Sequence, residues 1–371
     1  MRTRSVGKSL QQAEEVVSEA PTEEIQQGGP VLSTGSTLLN LACSGRVSGG
    51  FLPGKFVLLV GDASAGKTFL GMTCLAEACQ NVEFAKHRLI YDNIEDGCLL
   101  DIRTLFNEDL ERRLEAPDTD KGEPKYSSTI EEFYFHVDDA LKDGRPFIYI
   151  LDSMDALTSA EEDSGFEKRK KATRANQETS GSYGVSKARR NSEGLRRVLK
   201  GLRSTSSILI ILCQTRADLG PGYAQKTRAG GLALRFYATL EIWASVKGTI
   251  KKNIRGKPRP VGVTVLWKVK KNRVIGALHS VAFDIYPSYG IDDIGSCVDY
   301  LVSEGHWGSA GQKINAEDIG LCSSREKLIL QIEEGGLADH VRQLVGWCWG
   351  QIEADGKLKR QSRYRLPGDG S

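Results

Sequence analysis

Gly61-Asp62-Ala63-Ser64-Ala65-Gly66-Lys67-Thr68 fits the pattern G-x-x-x-x-G-K-[ST], in which backbone N–H groups wrap the phosphates of a nucleotide. Its glycines let the chain close tightly around an anion, because they tolerate positive φ and carry no Cβ. The pattern predicts that Lys67 reaches the β- and γ-phosphates and that the Thr68 hydroxyl ligates Mg²⁺. The flanks agree with it. Phe56-Val57-Leu58-Leu59-Val60 reads as a buried strand entering the loop, and Phe69 to Gln80 as a helix leaving it, so the helix N-terminus faces the same anion.

Phosphate chemistry also needs one carboxylate to organise the metal and another to activate water. Phe147-Ile148-Tyr149-Ile150-Leu151-Asp152 is an apolar strand that ends in an acid, the Walker B arrangement, so Asp152 is expected to hold Mg²⁺ with Thr68, with Ser153 beside it. A second strand, Leu89-Ile90-Tyr91-Asp92, runs into Asn93-Ile94-Glu95-Asp96. Glu95 is the choice for general base, with Asp92 and Asp96 behind it; a solvated acidic turn is the plainer alternative. Ile208 to Leu212 forms another strand, ending in Cys213-Gln214-Thr215-Arg216. A side-chain amide there can sense a γ-phosphate and reposition the loop that follows.

The bulk composition sets no obstacle. The chain has 371 residues, 40% of them hydrophobic and 26% charged, which suits a soluble globular protein with one large domain or two. No run approaches the ~20 apolar residues of a membrane span, and the N-terminus lacks an apolar signal core. The eight cysteines form no C-x-x-C pair and have no histidines at zinc spacing. They are read as reduced, which places the chain in the cytoplasm and away from membranes.

Residues 1–30 are polar and read as an N-terminal arm. Strand patterns recur at Arg88–Asn93, Phe147–Asp152, Ser207–Gln214 and Ala238–Ala244, with helical patterns between several of them. That alternation predicts an α/β core with a mostly parallel central sheet over residues 31–290. Val261–Lys271 and Ala277–Tyr286 read as a hairpin or meander, and helices dominate from Asp292 into a small C-terminal domain, 291–371, with a basic tail.

The order of these parts resembles the RecA recombinase family from about Val31 to Gly311. Leu32-Ser33-Thr34-Gly35-Ser36 and Gly50-Phe51-Leu52-Pro53-Gly54-Lys55 look like the family's approach to its phosphate loop. Leu151-Asp152-Ser153-Met154-Asp155-Ala156-Leu157-Thr158 is similar to its Walker B segment, and Ala229-Gly230-Gly231-Leu232-Ala233-Leu234-Arg235-Phe236-Tyr237-Ala238 to its Gly-Gly motif. Lys268-Val269-Lys270-Lys271-Asn272-Arg273 is similar to its basic strand. The resemblance implies a RecA-like P-loop ATPase core that binds ATP and Mg²⁺ and forms a homo-oligomer, helical filament or ring, on single-stranded DNA for pairing with duplex DNA. It further implies that Gln214 links the γ-phosphate to a DNA-binding loop. Lys271 and Arg273 would act on a neighbour's nucleotide, and Phe236 would pack across the subunit interface. The plain alternative for Lys271 and Arg273 is a solvated strand. A DNA-annealing module with little hydrolysis and a hexameric replicative helicase are the competing functions.

Two basic stretches match the positions of the family's DNA-binding loops, at about 159–194 and 215–229. Glu167 to Lys200 holds eleven Lys or Arg against three Glu. Candidate DNA contacts in the first are Lys168, Arg169, Lys170, Lys171, Tyr183, Arg189 and Arg190; in the second they are Arg216, Tyr223, Lys226 and Arg228. From Ile242 to Phe283 there are ten Lys or Arg and no acid, a stripe suited to a second, duplex strand.

Overall fold

Phe56–Gly61 has no face suited to water, and it forms a fully buried strand, β1. The computed structural model describes residues 29–95, 100–174, 185–217, 226–228 and 231–360. Around β1 stands a sheet of ten strands. In chain order the others are β2 (Arg88–Asn93), β3 (Leu114–Glu115), β4 (Phe147–Asp152), β5 (Ile208–Ala217) and β6 (Lys226–Arg228). They are followed by β7 (Leu240–Ile254), β8 (Lys257–Asn272), β9 (Ser280–Tyr286) and β10 (Gly290–Ile291). Their spatial order is β10-β9-β8-β7-β1-β5-β4-β2-β3, with β6 paired to β5. From β7 to β3 every neighbouring pair in that order is parallel. From β7 to β10 the pairs are antiparallel. The chain thus adopts the α/β fold with a mostly parallel central sheet that the strand pattern predicts.

Helices α1 (Thr37–Ser44), α2 (Lys67–Gln80), α3 (Ile130–Lys142), α4 (Ala160–Arg174), α5 (Val185–Thr205) and α6 (Leu232–Tyr237) join or flank these strands. Ser36 caps α1, its hydroxyl accepting from the Leu39 N–H at 3.4 Å. Alternation along β4 sends Phe147, Tyr149 and Leu151 into one apolar cluster with Phe133 and Val137 of α3 and Leu195, Val198 and Leu202 of α5. Each such side chain contributes about 1.5–3 kcal/mol on burial.

The contact between α3 and α5 depends on a missing side chain. A Cβ on Gly194 would stand 2.3 Å from the Tyr134 ring, whose hydroxyl donates to Asn191 Oδ1 at 2.9 Å. Helix α5 can therefore lie against that ring only with glycine at this position.

Two expectations about local form change. The stretch 159–194, read as a long loop, is helical over Ala160–Arg174 and Val185–Thr205. Strands β7 and β8 are longer than Ala238–Ala244 and Val261–Lys271, because they continue as an exposed ribbon that turns at Arg255 and Gly256, both at positive φ. The candidate DNA contacts Tyr183 and Tyr223 lie outside the described residues, as does Asp96.

The chain divides into compact units at 27–296 and from 297 onward, the boundary falling within α7 (Asp293–Ser303). The second unit has a three-stranded antiparallel sheet, β11 (Gly308–Ala310), β12 (Lys313–Ala316) and β13 (Leu321–Ser323), followed by α8 (Arg325–Glu334) and α9 (Ala338–Asp355). Its centre holds buried Trp307, whose indole N–H donates to Asp318 Oδ2 at 2.7 Å. No described helix is long and apolar enough to cross a membrane.

Gly194→Ala is expected to destabilise the protein by about 1–3 kcal/mol, since the added methyl has no room unless the Tyr134 ring or the helix moves. Urea unfolding followed by circular dichroism measures the loss; an unchanged midpoint would show that the α3–α5 approach is not constrained as described.

Candidate active site

Strand register brings the candidate residues together. Gly61 at the end of β1 pairs with Gln214 of β5 on one side and with Ala244 of β7 on the other. Leu151 of β4 pairs with Ile211 of β5, and Asp152 with Asn93 of β2. The carboxyl ends of four parallel strands therefore present Gly61, Gln214, Asp152 and the turn bearing Glu95 along one edge, where ligands of open α/β sheets bind.

The loop between β1 and α2 has the backbone that an anion cradle needs. Ser64 and Gly66 both have positive φ, at 61° and 75°. Gly66 precedes the first residue of α2 and offers no side-chain cap, so the helix N-terminus keeps its N–H groups for a ligand. Lys67 is buried, and its ammonium donates to the carbonyls of Gly61 at 2.9 Å and Asp62 at 2.8 Å. Thr215 Oγ1 donates to Asp62 Oδ1, which ties the loop to the tip of β5.

Asp152 stands across from the start of α2. Its Oδ2 accepts from Thr68 Oγ1 at 2.6 Å and from Tyr91 OH at 2.9 Å. Burial pushes its carboxyl above the usual carboxylate range, against the lowering effect of these two hydrogen bonds. Burial pulls Lys67 the other way, below the usual lysine range, and the nearby Asp152 offsets part of that. Both charges are thus held at a desolvation cost that an anion and a cation placed between them would offset. Among the described residues no group of three His, Cys, Asp or Glu could hold a metal ion. A hydroxyl beside one carboxylate instead fits a divalent ion that takes its remaining oxygens from phosphate and water. Thr68 and Asp152 are the residues that would hold it.

The two acids of β2 and its turn separate by face. Asp92 is buried and points away from the loop: it accepts from Ser127 N at 2.9 Å, Ser127 Oγ at 2.6 Å and Tyr149 OH at 2.6 Å. Three donors make it a structural acid. Glu95 faces the site, where its Oε1 accepts from Ser153 Oγ at 2.5 Å and from the Gln214 side-chain amide at 3.1 Å. The backbone N–H of Gln214 donates to Asp155 Oδ2 at 2.6 Å. Ser153, Asp155 and Tyr91 are contacts that sequence reading did not assign a role, although each adjoins a residue it did.

Lys271 and Arg273 lie at the other end of the strands. Lys271 pairs with Glu241, which pairs with Leu58, and Gly61 is three residues further along β1, so about 10 Å separates the levels of Lys271 and the loop. The Lys271 ammonium donates to the carbonyls of Arg235 at 2.6 Å and Phe236 at 2.8 Å, at the end of α6. Arg273 is exposed, and the Phe236 ring beside this corner is 64% exposed.

A sequence profile of the RecA N-terminal domain matches residues 138–292. The protein RecA of Chloroherpeton thalassium is 29% identical over 314 residues, covering 82% of this chain and 77% of that one. The protein RecA of Cytophaga hutchinsonii is 28% identical over 311 residues, covering 82% and 78%. For Fusobacterium nucleatum RecA the identity is 26% over 307 residues, covering 81% and 72%. The chain is thus similar to RecA proteins over about four fifths of its length.

The basic candidates fall into three settings. Lys168 and Lys170 are exposed on α4 with Arg169 partly covered between them, and Lys171 follows in the same helix. Arg189 pairs with Glu193 at 3.1 Å, while Arg190 meets Glu131 at 3.0 Å, Glu193 at 3.3 Å and Glu161 at 3.8 Å. Those two arginines are therefore held by carboxylates. Arg216 lies in β5 and Lys226 and Arg228 in β6, which form an antiparallel stem in which Arg216 pairs with Thr227.

The electrostatics give a signed prediction. An Asp with a raised folded-state pKa contributes stability when protonated and loses it as pH rises through that pKa, so ionised Asp152 costs the nucleotide-free fold stability at neutral pH. Asp152→Asn should raise the neutral-pH melting temperature, with the gain shrinking as pH falls toward the acid's titration. The same variant should lose stabilisation by magnesium–nucleotide. Differential scanning fluorimetry checks both, and a lower melting temperature at neutral pH would contradict the burial argument.

Proposed function

We propose that the protein is a DNA-dependent ATPase that assembles as a homo-oligomeric filament on single-stranded DNA and pairs that strand with homologous duplex. The observation that carries this reading is the joint position of Lys67, Thr68, Asp152, Glu95 and Gln214 at one end of the parallel strands, in a chain similar to RecA proteins. Magnesium, when bound with ATP, would neutralise charge on the β- and γ-phosphates.

Lys67 would exchange its two carbonyl partners for phosphate oxygens. Glu95 would accept the proton of the attacking water, its carboxylate oriented by Ser153 and Gln214. Gln214 would change partner from Glu95 to the γ-phosphate, and it immediately precedes the β5–β6 stem, so the change would shift that stem. Lys271 and Arg273 would serve the nucleotide of a second copy, with Phe236 seated against that copy. The cations of α4 and of the β5–β6 stem would hold single-stranded DNA, and the β7–β8 ribbon, with its Lys and Arg, a duplex.

ATP turnover measured with and without single-stranded DNA tests the reading. The wild type should be stimulated by DNA. Lys67→Ala should lose nucleotide binding and turnover. Glu95→Gln should bind nucleotide and DNA yet lose at least about 100-fold in turnover, as removal of a general base does. Asp92→Asn should instead lower stability by about 1–3 kcal/mol through its buried hydroxyl partners. DNA binding without turnover would favour an annealing module, and rings that unwind duplex would favour a helicase.

A further inference from the structure

Helix α4 reads AEEDSGFEKRKKATR, and Phe166 is its single large apolar residue. Such a helix has no apolar stripe with which to bury itself. Its attachment is polar and lies in its first turn: Glu162 meets Lys187 of α5 at 3.4 Å, Glu161 meets Arg190 at 3.8 Å, and the Ala160 N–H donates to Glu131 at 3.2 Å. Those contacts consume the acidic end. The remaining turns carry Lys168, Arg169, Lys170 and Arg174 with one acid, Glu167, which meets Lys170 at 3.5 Å, and Phe166 sits at their edge, 59% exposed, one helical turn before Arg169 and Lys170.

A phenyl ring left in water is unfavourable, and nothing in the polar helix offers it cover. Cations on the same face select a polyanion, and a flat aromatic among them suits one whose units have flat faces of their own. Duplex DNA keeps its bases stacked inside, whereas a single strand can lay a base on an exposed ring. We propose that Phe166 is a base-stacking contact for single-stranded DNA, with Arg169 and Lys170 holding the adjoining phosphates. The inference rests on the DNA-binding reading above and assigns it a residue.

The test is the affinity of the full chain for a short oligothymidylate and for an equal-length oligonucleotide of abasic sugars, each across a salt series. Phe166→Ala should weaken oligothymidylate binding roughly 5- to 150-fold, the range of one lost stacking contact, with no change in the slope of log K against log salt. The loss should vanish on the abasic strand, and Phe166→Tyr should restore binding to the normal strand. Arg169→Gln with Lys170→Gln should lower the slope by about 0.7 per phosphate contact on both strands. An equal loss on both strands for Phe166→Ala, no loss on either, or a changed assembly state without DNA would overturn the proposal. If the Arg169 and Lys170 pair alters binding and Phe166 does not, only the stacking assignment falls. If neither alters it, the placement of DNA on α4 falls as well.

Discussion

Register between parallel strands is the constraint on which the site depends. Gly61 opposite Gln214 and Asn93 opposite Asp152 bring loops from four separate strands to one edge. A one-residue slip in a parallel pair would turn every side chain to the opposite face, and here both faces are packed, so the slip is strongly opposed. The apolar runs of β1, β4 and β5 therefore do more than fill a core. They fix the spacing at which Thr68 reaches Asp152 and Gln214 reaches Glu95.

The same burial creates the electrostatic character of the edge. Lys67 and Asp152 are shifted in opposite directions by loss of water, each toward its neutral form. A protein selected only for stability would avoid both charges. Here the ammonium rests on two loop carbonyls and the carboxylate on two hydroxyls, partners that a phosphate and a metal could replace. On the proposed reading, function and stability pull against each other at these two residues.

Much of this was legible in the sequence because it depends on local pattern. The phosphate loop, the acid closing an apolar strand and the glutamine at a strand tip each declare themselves within a few residues. The choice between Asp92 and Glu95 was less secure. It turns on which way a strand residue faces and on Ser127 and Tyr149, which lie far along the chain. Helix α4 was read as a loop because periodicity of apolar residues is the usual sign of a helix, and its one large apolar residue, Phe166, gives none. The β7–β8 ribbon was underestimated for a related reason: its outer half is exposed and rich in Lys and Arg, with Pro258 and Pro260 among them, so it lacks the alternation of a half-buried strand. The three short strands beyond residue 307 were missed because each is too brief to show a period.

On the proposed reading the phosphate loop and the pair Lys271 and Arg273 belong to one catalytic site yet lie at opposite ends of the strands within one copy, so a second copy must complete it. Mixing Lys67→Ala subunits with subunits carrying both Lys271→Ala and Arg273→Ala on single-stranded DNA tests this most directly. Each variant alone should be inactive. An equal mixture should regain about a quarter of the wild-type hydrolysis, the share of random interfaces that join an intact loop to intact cations. No recovery at any ratio would contradict a site shared between subunits.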